Sequence, residues 1–218
     1  MDDRQTDNPH ITQEMIELYD DYTHLSLDRR KFMDNLAKMA GSMTAAVSIA
    51  GLMSADAKAQ GLSAEDDPNL DISDVTYPGG QGEMKGYLAV PKEAGPFPAV
   101  IVVHENRGLN AHIKDVTRRM ALEGFVALAP DYLSDRGGTP ADENDARAQF
   151  QYITTEEVTA NGIATIAYLK TVPKSTGKVG AIGFCWGGGT VNNLAVASPD
   201  LLAAVPYYGS QPRAHPFY

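Results

Sequence analysis

The 218-residue chain has one cysteine, at the centre of Gly183-Phe184-Cys185-Trp186-Gly187. A thiol with glycines two residues to either side has the spacing of a nucleophile elbow, the tight strand-to-helix turn that presents one reactive side chain at its tip. Side chains two positions from the tip would collide with the backbone, and glycine removes that collision. The chemistry this allows is attack by sulfur on a carbonyl carbon. A helix N-terminus beside the thiol favours thiolate over thiol, and the backbone N–H of Trp186 is placed to hold the oxyanion that attack creates. Competing uses of the same residues are weaker. A dinucleotide cradle needs G-x-G-x-x-G and a later acidic residue, which glycines at 180, 183, 187, 188 and 189 do not supply. One cysteine has no partner for a disulfide cycle, and the plain alternative is a small buried hydrophobe.

An elbow must be delivered by a buried strand and followed by a helix, and the flanking chain reads that way. "KVGAIGF" before it is apolar and strand-like, and "WGGGTVNNLAVAS" after it is helical. Upstream, Ile72 to Tyr77 and Met84 to Val90 read as strands joined by the turn-forming "PGGQG". Ala99 to Val103 is an apolar β-branched run without polar alternation, as expected of a strand buried on both faces. Asn110 to Gly124 has helical periodicity with Gly124 as its stop. "FVALAPDYL" is a further buried strand, Asp142 to Val172 one long helical region, and "LLAAVPYYGS" a fourth strand of the repeating part. Strands alternating with helices after a hairpin predict an α/β fold: a mainly parallel sheet with helices on both faces and right-handed crossovers.

A second oxyanion donor is expected from the loop after the early central strand, "HENRGLN". The segments "HENRGLN", "APDYL" and "GFCWGGG" together resemble the dienelactone hydrolase family of the α/β-hydrolase superfamily, over roughly Asp71 to Gly209. That resemblance implies a hydrolase of ester or lactone bonds in small molecules, acting through a cysteine and an acyl-thioester. It implies Cys185 as nucleophile and the backbone N–H groups of Asn106 and Trp186 as oxyanion hole. It further implies Glu105 as a carboxylate that contacts the resting cysteine, and Arg136 as a ligand for a substrate carboxylate. His104 reads as a packed, hydrogen-bonded residue at a strand end. His104 and His112 lack a third ligand, so no metal is expected, and no cofactor either.

Downstream the family pattern stops. After Cys185 come one acid, Asp200, and one histidine, His215. The family delivers its acid and base from loops after later strands. Asp200 falls between the helix that follows the elbow and the next strand, at the opposite end of the sheet from the thiol, and reads as a turn residue. The expectation is an incomplete α/β-hydrolase fold with its last strands missing and impaired turnover, the alternative being a catalytically silent remnant.

The first sixty residues differ in kind. Arg29-Arg30-Lys31-Phe32 leads into the charge-free stretch Met39 to Met53 and then Ala57-Lys58-Ala59. That order resembles a twin-arginine export signal, and its apolar part is too short for a stable membrane span. Residues 1–59 are therefore expected to be an extension and signal cut after Ala59, with 60–70 a linker and 71–218 the domain. The protein is then exported to the periplasm by the twin-arginine machinery. The alternative is a cytoplasmic protein with an amphipathic N-terminal helix. Ile11, Met15, Leu18 and Tyr22 stand at helical spacing ahead of the arginines, an unusually long and acidic preface for a signal. With 18 basic against 28 acidic residues and a net charge of −10, the chain is not suited to bind nucleic acid or an anionic membrane surface.

Overall fold

The computed structural model describes residues 28–56 and 63–212, with Thr12, Glu14, Met15, Leu18, Tyr19 and Tyr22 ahead of them. The chain divides into two units, Met1–Gln60 and Gly61–Tyr218. The expected cut after Ala59 and His215 lie outside the described residues.

In the first unit, helix α1 (Arg29–Ala40) starts where the Asp28 carboxylate accepts the Lys31 N–H at 3.0 Å, and it stops at Gly41 in a left-handed conformation. Helix α2 (Met43–Asp56) follows. Phe32 and Leu36 of α1 are buried with Met15, Ala46 and Ile49, and the Tyr22 ring stacks on Phe32 at 4.6 Å. Arg30 is exposed, so α1 is amphipathic within this unit. Among the described residues, no helix is long and apolar enough to cross a membrane.

The second unit is built on a six-stranded sheet. Strands β1 (Leu70–Pro78) and β2 (Glu83–Pro91) form the expected hairpin, and β2 also runs antiparallel to β4 (Val126–Asp131). β4, β3 (Phe97–Val103), β5 (Ser175–Phe184) and β6 (Leu201–Tyr207) are parallel, in the order β1-β2-β4-β3-β5-β6. β3 lies between β4 and β5, which is why its residues from Ala99 to Val103 are all buried.

Alternation along β3 sorts its side chains between two helical layers. Val100 and Val102 face helix α3 (Ala111–Leu122) with Ala127 and Ala129 of β4, against Ala121, Ile113 and Val116. Ala99, Ile101 and Val103 face the opposite layer with Leu128 of β4. There Val158, Ile166 and Leu169 come from helix α5 (Thr155–Leu169), and Val191 and Leu194 from helix α6 (Trp186–Ala197).

Two expectations need correction. The helical region from Asp142 to Val172 is two helices, α4 (Glu143–Phe150) and α5, because each has its own N-cap. The Asp142 carboxylate accepts from Asn144 N–H at 2.7 Å, and the Thr154 hydroxyl accepts from Glu157 N–H at 3.2 Å. A second cap inside an apolar periodic stretch satisfies the orphan N–H groups of a new helix start, so the periodicity continues while the helix does not. The strand leading to the elbow also begins earlier than Lys178, since Ser175 already pairs with Phe97.

Candidate active site

The four parallel strands point their carboxyl ends to one edge of the sheet, where open α/β sheets bind ligands. That edge receives His104, Glu105 and Asn106 after β3, Arg136 after β4 and Cys185 after β5. Chain topology thus brings the residues singled out in the sequence to one edge, from three separate loops.

Cys185 has φ 58 and ψ −118, a conformation rarely adopted by residues other than glycine. Such a backbone costs on the order of 1–3 kcal/mol and persists only where its surroundings hold it. Those surroundings are identifiable. The Cys185 N–H donates to the Tyr207 carbonyl at 3.0 Å, and its carbonyl accepts from Gly189 N–H at 3.1 Å as the first bond of α6. A Cβ on Gly183 would run into the carbonyl of Gly187, and a Cβ on Gly187 would lie 2.5 Å from the His104 carbonyl and 2.6 Å from that of Val103. A Cβ on Gly188 would lie 2.5 Å from the Tyr207 carbonyl. The run of glycines therefore lets the first turn of α6 be gripped between the ends of β3 and β6. Cys185 itself is 6% exposed and sits at the N-cap of α6, the positive end of the helix dipole.

The "HENRGLN" loop is moored at several points. Leu109 N–H donates to the Thr139 hydroxyl at 2.9 Å, and Thr139 in turn donates its N–H and hydroxyl to the two Asp131 carboxylate oxygens at 2.7 and 2.8 Å. Arg107 pairs with Glu143 of α4 at 2.8 Å. Glu105 and Asn106 are half-buried in the turn between these moorings. Next to them His104 is fully buried. Its ring stacks on Trp186 at 5.5 Å with 11° between the planes, and the Tyr132 and Phe150 rings meet it edge-on. Its Nε2 accepts the Tyr132 N–H at 3.2 Å, so Nδ1 carries the proton and donates it to the Glu105 carbonyl at 2.7 Å. Burial holds the imidazole below its usual pKa, and the ring is neutral. The residue read from the sequence as packed and hydrogen-bonded at the strand end thus finds its partners in the backbone of the site loop and of the segment after β4. Its place at the end of a wholly buried strand was the available signal.

Arg136, in a 3₁₀ turn after β4 (Ser134–Arg136), donates to Glu157 at 2.8 Å and to the Tyr152 carbonyl at 3.1 Å. The pairing holds the Glu157 carboxyl below its usual pKa and raises that of the arginine. Asp200 pairs with Lys170 at 3.0 Å, at the amino end of β6 and so at the end of the sheet opposite the elbow. Among the described residues, no group of three His, Cys, Asp or Glu side chains is close enough to hold a metal ion.

Residues 84–216, more than half of the chain, match the dienelactone hydrolase family. The chain belongs to the dienelactone hydrolase family. Residues 1–41 match a second family, described as YqhI-like. The chain is 38% identical over 143 residues to a "Putative carboxymethylenebutenolidase" of Synechocystis, covering 62% of this chain and 58% of the relative. It is 50% identical over 90 residues to a "Putative hydrolase fragment YghX" of Escherichia coli K12, covering 40% and 77%. Among solved structures it resembles a dienelactone hydrolase-like promiscuous phosphotriesterase from metagenomic libraries, with TM-score 0.59, 31% identity and coverage of 68% and 63%. The chain thus spans about three fifths of the length of the Synechocystis relative and of that solved structure. The family and the α/β architecture expected from "HENRGLN", "APDYL" and "GFCWGGG" are borne out.

Proposed function

We propose that this member of the family acts on ester or lactone bonds of small molecules, with Cys185 as the nucleophile. The observation that carries this reading is the φ of 58 at Cys185 under the grip of Tyr207 and the β3 carbonyls, a strained presentation at a helix N-terminus. The Cys185 thiol gives its proton to solvent, and the thiolate sulfur attacks the substrate carbonyl carbon. The carbonyl oxygen takes the negative charge and is held by the N–H groups of Trp186 and Asn106. Collapse breaks the carbon–oxygen bond to the leaving alkoxide, which takes a proton from solvent, and leaves an acyl-thioester that water hydrolyses. Glu105 is assigned to contact the resting thiol. Arg136 is assigned to a substrate carboxylate, for which it exchanges Glu157. The named groups carry acylation, so acylation is the step to test. Incubation with p-nitrophenyl acetate should add one acetyl mass to Cys185 with release of one equivalent of p-nitrophenol, and Cys185→Ala should abolish both. An unmodified cysteine would overturn the reading.

Export by the twin-arginine machinery remains our proposal for the first unit, resting on the order Arg29-Arg30-Lys31-Phe32, apolar stretch and Ala57-Lys58-Ala59. It predicts a periplasmic chain beginning at Gln60, and retention of the intact chain in the cytoplasm when Arg29 and Arg30 are both changed to Lys. An intact N-terminus in the wild-type protein would reject it.

A further inference from the structure

We propose that His104 is a positioning residue of the oxyanion hole, orienting the peptide between Glu105 and Asn106 through its Nδ1–H bond to the Glu105 carbonyl. The inference rests on the hydrolase reading above and names a group that reading does not use. The argument begins with peptide planarity. The Glu105 carbonyl and the Asn106 N–H belong to one planar trans unit and point in opposite directions. Whatever fixes the first aims the second, and a peptide in a turn can otherwise rotate by half a revolution at small cost. Two donors hold the Glu105 carbonyl, His104 Nδ1 at 2.7 Å and the Gly108 N–H at the longer 3.3 Å. The shorter bond comes from a ring that cannot turn away. The Tyr132 N–H occupies Nε2 at 3.2 Å, and Trp186, Phe150 and Tyr132 enclose the ring on its face and edges. The same ring stacks on Trp186, whose backbone N–H is the other assigned donor. One buried imidazole therefore bonds the peptide that carries one assigned donor and stacks on the side chain of the residue that carries the other. A histidine conserving only core volume would need neither its proton on Nδ1 nor a carbonyl beside it.

The test separates chemistry that makes an oxyanion from chemistry that does not. In the full-length chain, acylation of Cys185 by p-nitrophenyl acetate passes through an oxyanion, whereas alkylation by iodoacetamide does not. His104→Phe keeps the stacking and removes both hydrogen bonds. Loss of an oxyanion donor costs about 100- to 1000-fold, and misalignment of one should slow acylation by about tenfold or more while alkylation stays within about threefold. Equal rates for both reagents in wild type and variant, or an equal fall in both, would overturn the positioning role while leaving Cys185 as nucleophile. A wild-type cysteine that is alkylated but never acylated would overturn the hydrolase reading and this role with it. Because His104→Phe is a core change, a second measurement uses the unaltered protein. Nitrogen-15 NMR of histidine-labelled chain should show His104 protonated on Nδ1 and bare on Nε2. The opposite tautomer would overturn the inference without any variant.

Discussion

The N–H of Cys185 donates to the carbonyl of Tyr207 at 3.0 Å, which ties the elbow to the last residue of β6. Among the described strands β6 pairs with β5 alone, and Leu202 is 63% and Tyr207 48% exposed. The strained residue is thus held on one side by the buried end of β3, through Gly187, and on the other by an exposed strand, through Gly188.

Replacing Gly187 by Ala should therefore damage structure and site together. The new Cβ would meet two backbone carbonyls, which give way only if β3 moves. Overpacking of this kind costs about 1–3 kcal/mol, or roughly 2–10 °C in the thermal midpoint of a unit this size. Circular dichroism melting should show the drop, and Cys185 acylation should slow, because the carbonyl pushed away is that of His104.

His104 should make stability fall in mild acid. Its folded pKa lies below the unfolded value near 6.5, owing first to burial, so between those two values the unfolded chain binds the extra proton. Its contribution is complete above pH 6.5 and is lost as pH falls toward the lowered folded value. The slope is up to about 1.4 kcal/mol per pH unit for one proton. Urea denaturation at pH 8, 6.5 and 5.5 should show this slope in the wild type and lose it in His104→Phe.

Arg136→Gln should separate recognition from stability. Its ion pair with Glu157 is partly solvated, so the stability change should stay within about 1 kcal/mol. If the guanidinium receives a substrate carboxylate, KM for a carboxylate-bearing ester should rise about tenfold, on the scale of a charge-assisted bond, while a neutral ester is unaffected. Equal effects on both esters would remove Arg136 from the substrate site.

The segment 60–70 contains a buried anchor. Ser63 donates its N–H and hydroxyl to Asp115 at 2.9 and 2.7 Å, and Arg118, 3% exposed, donates to the Ser63 hydroxyl, the Ser63 carbonyl and the Tyr87 hydroxyl. Asp115→Ala strips a buried guanidinium of its counter-charge and should cost about 3–5 kcal/mol in urea denaturation. Removing both charges together, as Asp115→Ala with Arg118→Met, should recover part of that loss.

Much of the scaffold could be read before folding because its signals are local. β3 announced itself by five apolar residues in a row, α3 by its period and Gly124, and the elbow by glycines whose spacing reflects sterics within one turn. What was misread was also local, but ambiguous. Thr154 is an ordinary polar residue in a periodic stretch until its hydroxyl is seen capping α5. Asp200 could be placed as a turn residue, although its partner Lys170 could not be named.

The amino-acid sequence by itself determined the order of strands and helices, the thiol at a sharp turn and the residues that flank it, since these follow from side-chain size and periodicity along the chain. Only the tertiary structure decided that Tyr207 holds the Cys185 N–H, that Glu157 holds Arg136, and that the partner of the hydrogen-bonded His104 is the peptide beside Asn106. Those contacts join residues far apart in the chain, and their existence depends on which strand ends the sheet brings to one edge.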